Sequence, residues 1–234
     1  MSDTPINSAV AQQRLQQQLG YSFADKTLLR RALTHRSACA DHNERLEFLG
    51  DSVLSCVISM ALFEHCPQAP EGDLSRLRAA LVCERTLAAV ARQLELSALL
   101  VLGPGEKRNG SGRRDSILAD TLEALLGAVY REGGFGPARA VILALFAERL
   151  AHLPDPDEIK DPKTRLQEWL QARGRALPQY QLVSRSGADH AQHFVAACRL
   201  PDGAETSTGE GSGRRKAEQA AARNLLAQLT MEVP

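Results

Sequence analysis

The hydrophobic residues in about the first two thirds of the chain recur with the period of an α-helix. They return every three or four positions in LGYSFADKTLLRRALTH, RLEFLGDSVLSCVISMALFEHC, DLSRLRAALVCERTLAAVARQL and DSILADTLEALLGAVYRE. Leucine and alanine dominate these segments, and both are strong helix formers. The pattern predicts an all-α N-terminal domain over residues 7–150.

Two connections interrupt the helical pattern. LGPGEKRNGSGRRDS, residues 102–116, is rich in glycine and basic residues and predicts a long connection between helices. AHLPDPDEIKDP contains three prolines and several acids. Because proline disfavours helical backbone at the residue before it, this composition predicts an exposed linker, which we place at residues 151–160.

After the linker the period changes. KTRLQEWLQARG predicts a helix that stops at Gly174, and PQYQLVSRSG and HFVAACRLPDG alternate as strands do. ETSTGEGSG predicts a short third strand, and RRKAEQAAARNLLAQL predicts a closing helix. The order α-β-β-β-α over residues 161–230 predicts a small α+β domain with both helices on one face of the sheet.

Composition and charge exclude only a few classes of protein. The chain has 234 residues, 44% hydrophobic and 24% charged, with 28 basic and 28 acidic residues, so any basic surface must be local. It has no run of about 18 apolar residues, and its start lacks the regions of a secretion signal. The five cysteines are never spaced C-x-x-C. We therefore expect a cytoplasmic protein with reduced thiols and no membrane span.

Three acids lie close together on an otherwise apolar helix in HNERLEFLGDS, residues 42–52. At about 100° per residue, Glu44, Glu47 and Asp51 fall within about 60° of one another, opposite the hydrophobic side. Crowded carboxylates repel one another, and burial makes the repulsion worse. A second pair, Asp120 and Glu123, lies three residues apart in DSILADTLEALLGAVY, also opposite an apolar side.

Two such helices facing each other would bring acids together as a site for a hard divalent cation such as Mg²⁺. Such a site activates water and neutralises charge on a phosphate undergoing in-line attack. The competing interpretation is that these acids form the solvated face of a helix, where acids normally lie. A di-iron bundle fits less well, since Gly50 and Leu126 stand where its Glu-x-x-His motif requires histidine. The DDxxD run of enzymes that ionise diphosphates is also absent.

The complete string HNERLEFLGDS resembles the signature of ribonuclease III, an endonuclease that cuts double-stranded RNA. LTHRS, EGDLSRLRA, LGPGE and SILADTLEALLG lie around it in the order of the bacterial form with a single nuclease domain. The resemblance implies hydrolysis of phosphodiesters in double-stranded RNA with Mg²⁺, or Mn²⁺ in its place, and no small-molecule cofactor. It also implies 5′-phosphate and 3′-hydroxyl ends, and a role in processing structured RNA such as ribosomal RNA precursors and some messenger RNAs.

The resemblance further implies roles for single residues of the nuclease domain. The metal ligands would be Glu47, Asp51, Asp120 and Glu123, of which Asp51 and Glu123 would be catalytic. Glu44 and Glu71 would be auxiliary acids near the scissile phosphate. No Ser/His/Asp or Cys/His arrangement is persuasive, and we interpret His35 and His42 as structural or capping residues. Asn43 is expected to cap the helix that follows it.

Phe48 lies about 40° from Glu44 on the helical wheel, beside the acids. One interpretation is that neighbouring helices cover Phe48 as part of the core. The other is a subunit interface, because exposed aromatic rings often mark one. Relatives of ribonuclease III are symmetric dimers with this helix at the interface. The resemblance therefore implies a homodimer with Phe48 in its interface, two sites across the duplex and short 3′ overhangs.

GEGSGRRKAEQAAA resembles the closing helix of the double-stranded-RNA-binding domain. Arg214, Arg215 and Lys216 lie at the start of this helix, where backbone N–H groups also attract phosphate. Basic residues at that end are unfavourable without an anion, although a solvated run of charge is the plain alternative. Gly213 stands where relatives usually have a small hydroxyl residue.

RLQEWL resembles the first helix of the same domain, which implies that Gln167 and Glu168 face a minor groove. His190 matches the loop that enters the next minor groove. Two other classes of protein stay open on the residues alone. A double-stranded-RNA-binding protein without catalysis would be expected to break the set of acids, which is intact here. A helical metalloenzyme acting on small diphosphates would leave the C-terminal domain unexplained.

Overall fold

The computed structural model describes residues 5–188, 192–203 and 205–231. The chain divides into two compact units, Met1–Pro154 and Asp155–Pro234. The first unit is built from helices, and the second combines helices with a three-stranded antiparallel sheet. The predicted fold class, an all-α domain followed by a small α+β domain, is confirmed.

The helices of the first unit, over residues 5–154, are α1 (Pro5–Leu19), α2 (Lys26–Ala32), α3 (Glu44–His65), α4 (Glu71–Val82), α5 (Glu84–Gln93), α6 (Pro104–Arg108), α7 (Asp115–Gly133) and α8 (Phe135–Ala151). Single 3₁₀ turns lie at Leu96–Ala98 and Ser111–Arg113. The glycine-rich segment predicted as a connection is therefore partly helical. Its helix α6 has proline in the first turn, where the missing N–H costs nothing.

Helices α3 and α7 pack against each other at the centre of the first unit. Their facing sides are almost entirely buried and consist of Leu46, Val53, Leu54, Val57 and Ile58 on α3 and Leu118, Leu122, Leu125, Leu126 and Val129 on α7. Each fully buried side chain of this size stabilises the fold by about 1.5–3 kcal/mol relative to its exposed state. The apolar period read from the sequence thus places the acids of both helices away from this core.

By length and composition alone, α3 is also the one helix in the described ranges that is long and apolar enough to cross a membrane. One such helix is weak evidence for a membrane span, because the core helix of a globular domain passes the same test. The burial of α3 against α7 accounts for its apolar side.

The second unit contains α9 (Pro156–Ile159), α10 (Pro162–Gln171), β1 (Gln179–Ser186), β2 (His193–Arg199), β3 (Thr206–Gly211) and α11 (Arg214–Met231). The sheet order is β1-β2-β3, with an irregularity in β1 between Leu182 and Ser184. The short helix α9 lies inside the segment predicted as a linker.

The core of the second unit joins both long helices to the sheet. Its buried side chains include Leu166, Leu170, Cys198, Leu200, Leu225 and Leu229. A Cβ at Gly209 would lie 2.1 Å from the backbone nitrogen of Ala221, so β3 and α11 touch through their backbones. Glycine is required at this position for that reason. All five cysteines of the chain are free thiols.

Candidate functional site

Helices α3 and α7 touch through two glycines, and this contact positions the acids. A Cβ at Gly50 would lie 1.8 Å from the carbonyl oxygen of Glu123, and a Cβ at Gly127 would lie 2.1 Å from that of Leu46. Real Cβ contacts are never so short, so any larger residue would push the helices apart. Glu47 lies one turn before Gly50, and Glu123 lies one turn before Gly127. Both acids therefore lie within one turn of the closest approach of the two helices.

Three carboxylates meet at this crossing. Glu47, Asp120 and Glu123 each offer an oxygen that lies within 4.8 Å of the other two, and all three side chains are half-buried. Asp51, the fourth predicted metal ligand, is exposed and lies outside this group of three, but its charge raises the pKa of Glu123. The structure thus gathers three predicted ligands and leaves Asp51 at the edge.

The crowding of these acids raises their pKa values. Burial, and after it repulsion from Asp51, Glu47 and Asp120, raises the pKa of Glu123 to about 8. Burial also raises the pKa values of Glu47 and Asp120, again with help from neighbouring acids. Half-buried, mutually repelling acids are not the solvated face of a helix. Converging carboxylate oxygens are the donor set that hard divalent cations prefer, so these residues fit such an ion.

The two predicted auxiliary acids are not part of the group of three. An oxygen of Glu44 accepts a hydrogen bond from the guanidinium of Arg36 at 3.1 Å. Glu71 begins α4, where its carboxylate accepts a hydrogen bond from the Ser75 hydroxyl at 2.7 Å. Glu44 lines the cavity described below, whereas Glu71 is not among the residues that line it.

An open cavity of about 850 Å³ lies beside the carboxylates. Its lining includes the acids Glu44, Glu47, Glu106 and Asp120 and the hydrogen-bond donors His35, Arg36, Ser37, Asn43, Arg114 and Ser116. Sequence reasoning missed Arg36 and Arg114 as members of the site. Arg36 lies in LTHRS and Arg114 in the basic connection, but neither segment shows a period that places it next to α3 or α7.

The expected capping role of Asn43 is wrong. Asn43 occupies the N-cap position of α3, but its side chain makes no capping hydrogen bond. Its backbone is already helical, at φ −83° and ψ −16°, and a capping side chain needs extended backbone to reach the first amides of the helix. The ring of His42 takes over in part, because its Nδ1 accepts from the backbone N–H of Glu44 at 3.4 Å. His35 pairs with the Ser37 hydroxyl at 2.8 Å.

Phe48 is exposed on the outside of α3. Its side chain is 78% accessible, so the interpretation that neighbouring helices cover it is wrong within one protomer. Further along the same helix, Phe63 is 73% accessible, and Cys56 and Met60 are also exposed. We call Phe48, Cys56, Met60 and Phe63 the α3 apolar stripe, which spans about 120° of the helix surface. Sequence reasoning named only Phe48.

The basic residues at the start of α11 differ in their surroundings. The guanidinium of Arg214 donates to Glu218 at 2.9 Å, and Glu218 also accepts from Lys163 at 2.7 Å. Arg215 is highly exposed and 3.5 Å from Asp161, while Lys216 is exposed and donates to the Ser212 hydroxyl at 3.2 Å. All three side chains are exposed, but Arg214 forms the shortest contact within the unit, and Arg215 and Lys216 have longer contacts that leave them more available to a ligand.

The remaining predicted contacts of the second unit lie on α10 and in one loop. Gln167 and Glu168 are both exposed, and Glu168 forms an ion pair with Lys160. His190 lies outside the described residues. A Cβ at Gly213 would meet nothing within 4 Å, so a side chain has room there.

Two family models match the chain. Residues 25–150 match the ribonuclease-III-like family, and residues 162–229 match the double-stranded RNA binding motif. Curated proteins named Ribonuclease 3 from Methylococcus capsulatus and Alkalilimnicola ehrlichii are 55% and 54% identical to the chain over 218 and 215 residues. These alignments cover 93% and 92% of this chain and 95% and 94% of those proteins.

Two solved structures of the nuclease domain of ribonuclease III from Campylobacter jejuni are also similar. One is 46% identical with a TM-score of 0.57, and the match covers 58% of this chain and 95% of that chain. The other is 43% identical with a TM-score of 0.58, and the match covers 61% and 97%. The first of these structures is described as showing structural flexibility in a region involved in dimer formation of that nuclease domain.

Proposed function

Because the chain belongs to the ribonuclease III family, we propose that it cleaves double-stranded RNA by metal-dependent hydrolysis at the carboxylates of α3 and α7. The chain is an endoribonuclease with a double-stranded RNA binding motif. The proposed products carry 5′-phosphate and 3′-hydroxyl ends. The observation that carries the proposal is the convergence of Glu47, Asp120 and Glu123, whose carboxylate oxygens lie within 4.8 Å of one another.

The same acids are the proposed ligands of Mg²⁺, or of Mn²⁺ in its place, with Asp51 completing the set. A bound divalent cation supplies Lewis-acid chemistry, which activates water for in-line attack and neutralises charge on the phosphate. In the metal-free site, Glu123 holds a proton because its pKa is raised to about 8. Displacement of this proton accompanies metal binding, since a carboxylate must be ionised to act as a ligand.

The second unit is proposed to hold the duplex by its shape. A-form RNA offers phosphates and 2′-hydroxyls across a shallow minor groove, and recognition of this type depends little on sequence. Arg215 and Lys216 are the proposed phosphate contacts, because both are exposed at the N-terminus of α11. The proposed natural substrates are structured RNAs of the cytoplasm, such as ribosomal RNA precursors and some messenger RNAs.

The α3 apolar stripe is proposed to form the interface of a symmetric homodimer. Two aromatic rings exposed at 78% and 73% on one helix make a surface that a partner would cover. A two-fold axis would give a duplex two equivalent sites, one for each strand. Cuts staggered by a short distance, with 3′ overhangs, would follow from that symmetry.

The proposal is tested with the full-length protein and a fully paired RNA duplex labelled at its 5′ ends. We expect cleavage with Mg²⁺ or Mn²⁺ and none after chelation with EDTA, and we expect the products to be 5′-phosphorylated. Glu123→Gln should abolish cleavage and leave duplex binding largely intact, because it removes a charge at the site and preserves size. Glu148→Gln on α8, where Glu148 is exposed, is the matched control.

Three outcomes would contradict the proposal. They are cleavage that persists in EDTA, equal cutting of single-stranded RNA, and a wild-type rate in Glu123→Gln at low millimolar Mg²⁺. Loss of activity in Glu148→Gln to the same extent would show that the assay responds to any lost carboxylate.

A further inference from the structure

The cavity beside the carboxylates is lined by both acids and hydrogen-bond donors. The acids include Glu47 and Asp120, and the donors include Arg36 and Asn43. A metal ion needs only the acids. We infer that Arg36, held in place by Glu44, binds an RNA phosphate beside the metal ligands, and that Asn43 donates a second hydrogen bond to the same phosphate. This inference rests on the proposed function and adds a substrate-binding role to residues outside the set of metal ligands.

The side chain of Arg36 is exposed and also lines the cavity. Its side chain is 70% accessible, so a ligand can approach it, and it lines the cavity together with Glu47 and Asp120. Its charge lowers the pKa values of both of these acids, against the effect of burial and of neighbouring carboxylates. The planar guanidinium matches a phosphate through paired N–H groups, which makes arginine the usual residue for this contact.

Asn43 supplies the second, independent observation. It is only 2% accessible, and its Nδ2 is a buried donor with no hydrogen-bond partner among the described residues. A buried donor left unpaired costs free energy, so its presence calls for a structural or functional reason. Asn43 also lines the cavity beside Arg36. An anionic oxygen bound next to Arg36 would satisfy this donor.

Glu44 then has a defined role that differs from metal binding. Its carboxylate is not one of the three that converge at the crossing, and it is paired with Arg36 at 3.1 Å. Arg36 lies in the loop between α2 and α3, and its ion pair with Glu44 ties this side chain to the start of α3. Glu44 is accordingly a positioning residue that acts through Arg36.

The test compares Arg36→Gln, Glu44→Gln and the double variant. The matched control is Arg31→Gln, because Arg31 forms a similar surface ion pair with Asp41 at 2.5 Å but does not line this cavity. Single-turnover cleavage is measured at saturating Mg²⁺ and RNA. Duplex binding is measured at several salt concentrations with each variant combined with Glu123→Gln, so that RNA is not cut during the measurement.

Arg36→Gln should slow cleavage roughly 10- to 100-fold, the loss expected for one hydrogen bond to a charged group. It should also reduce the slope of log affinity against log salt by about one unit or a little less. Arg36→Lys should restore part of the rate. Glu44→Gln should slow cleavage on its own but add nothing in the Arg36→Gln background, because both act through one contact. The Mg²⁺ concentration for half-maximal rate should stay unchanged in Glu44→Gln, and Arg31→Gln should behave as wild type.

Asn43 is tested by Asn43→Ala and by Asn43→Leu, which keeps a similar volume and has no donor. Both should slow cleavage while the melting temperature of the nuclease unit is retained in at least the Leu variant, because replacing an unpaired buried donor by an apolar group of similar shape costs little. A wild-type rate in either variant would remove Asn43 from the inference.

Other outcomes would overturn the inference without touching the proposed function. Arg36→Gln behaving like Arg31→Gln would exclude the phosphate contact. Effects of Glu44→Gln and Arg36→Gln that multiply, or a higher Mg²⁺ requirement confined to Glu44→Gln, would make Glu44 an independent or metal-binding acid. In each case the wild-type protein would still cut duplex RNA with Mg²⁺. Failure of that wild-type reaction would instead overturn the proposed function itself.

Discussion

Gly50 and Gly127 face each other where α3 crosses α7. A Cβ at Gly50 would lie 2.9 Å from the backbone nitrogen of Gly127, and a Cβ at Gly127 would lie 3.0 Å from that of Gly50. The two helices therefore approach more closely than any pair of side chains would allow. This approach sets the gap that Glu47, Asp120 and Glu123 share.

We predict that Gly50→Ala and Gly127→Ala each destabilise the nuclease unit and reduce cleavage. Alanine normally stabilises a helix interior by about 1 kcal/mol relative to glycine. Here the added methyl group meets backbone atoms, and overpacking of this kind typically costs about 1–3 kcal/mol. Thermal unfolding and single-turnover cleavage check both effects. Gly136→Ala on α8 is the control, since its Cβ would meet nothing within 4 Å. A Gly50→Ala variant that is both more stable and fully active would contradict the close approach.

The raised pKa of Glu123 predicts a pH-dependent stability of the metal-free protein. Because this carboxyl has a pKa of about 8 in the folded state, against an ordinary value of 4.5, the folded state binds its proton more tightly. The tighter binding of this proton stabilises the folded state below about pH 4.5, and this stabilisation is lost as the pH rises towards 8. Glu123→Gln should therefore become progressively more stable than wild type across this range, by about 1–2 kcal/mol or roughly 2–8 °C in Tm at its upper end.

Unfolding curves in EDTA at several pH values provide the measurement, with Glu148→Gln as the control. Adding Mg²⁺ should reverse the order, because only the wild type retains the full set of ligands. A stability difference that does not change between pH 5 and 8 would show that Glu123 carries no extra proton in the folded protein.

Phe48→Ala should weaken the proposed dimer. A large aromatic side chain at the centre of an interface typically contributes at least about 2 kcal/mol, which corresponds to a roughly 30-fold higher dissociation constant. Sedimentation over a range of protein concentrations measures this change. Val10→Ala on α1 is the control, because Val10 is 62% accessible but lies outside the α3 apolar stripe. If Phe48→Ala dimerises as tightly as wild type, Phe48 is not an interface residue.

The residues that the sequence located well are those whose position depends on local geometry. The helical period alone placed Glu47 and Asp51 on one side of α3, and it separated Phe48 from the buried leucines. The failures involve contacts across the chain or details of the backbone. The pairing of Arg36 with Glu44 follows no period, and Asn43 fails as a cap because of backbone angles that its sequence context does not reveal.

Truncation after Pro154 should leave a folded nuclease unit that binds duplex RNA poorly. The chain divides into compact units at this position, and the buried leucines of α3 and α7 lie entirely within the first. We expect one cooperative unfolding transition, retained dimerisation, and cleavage that is restored at high RNA concentration. The full-length protein is the reference in each measurement. Loss of cooperative unfolding in the truncated chain would mean that the first unit depends on the second for its fold.

The last prediction separates phosphate contacts from plain surface charge on α11. Replacing Arg215 and Lys216 with alanine should weaken binding to all duplex sequences about equally, because phosphates carry no sequence information. Each lost contact should also flatten the plot of log affinity against log salt by roughly one unit or a little less. Cleavage at saturating RNA should survive, since both residues lie in a different unit from the carboxylates.

Arg223→Ala is the matched control for this pair, because Arg223 is an exposed cation on the same helix but two turns further from its N-terminus. Arg214→Ala is a poor test of RNA contact, since Arg214 is paired with Glu218 and its loss would disturb that internal network. A salt slope equal to that of wild type would show that Arg215 and Lys216 form only a solvated surface. A loss of affinity confined to certain sequences would indicate contacts to base edges, which the narrow major groove of A-form RNA disfavours.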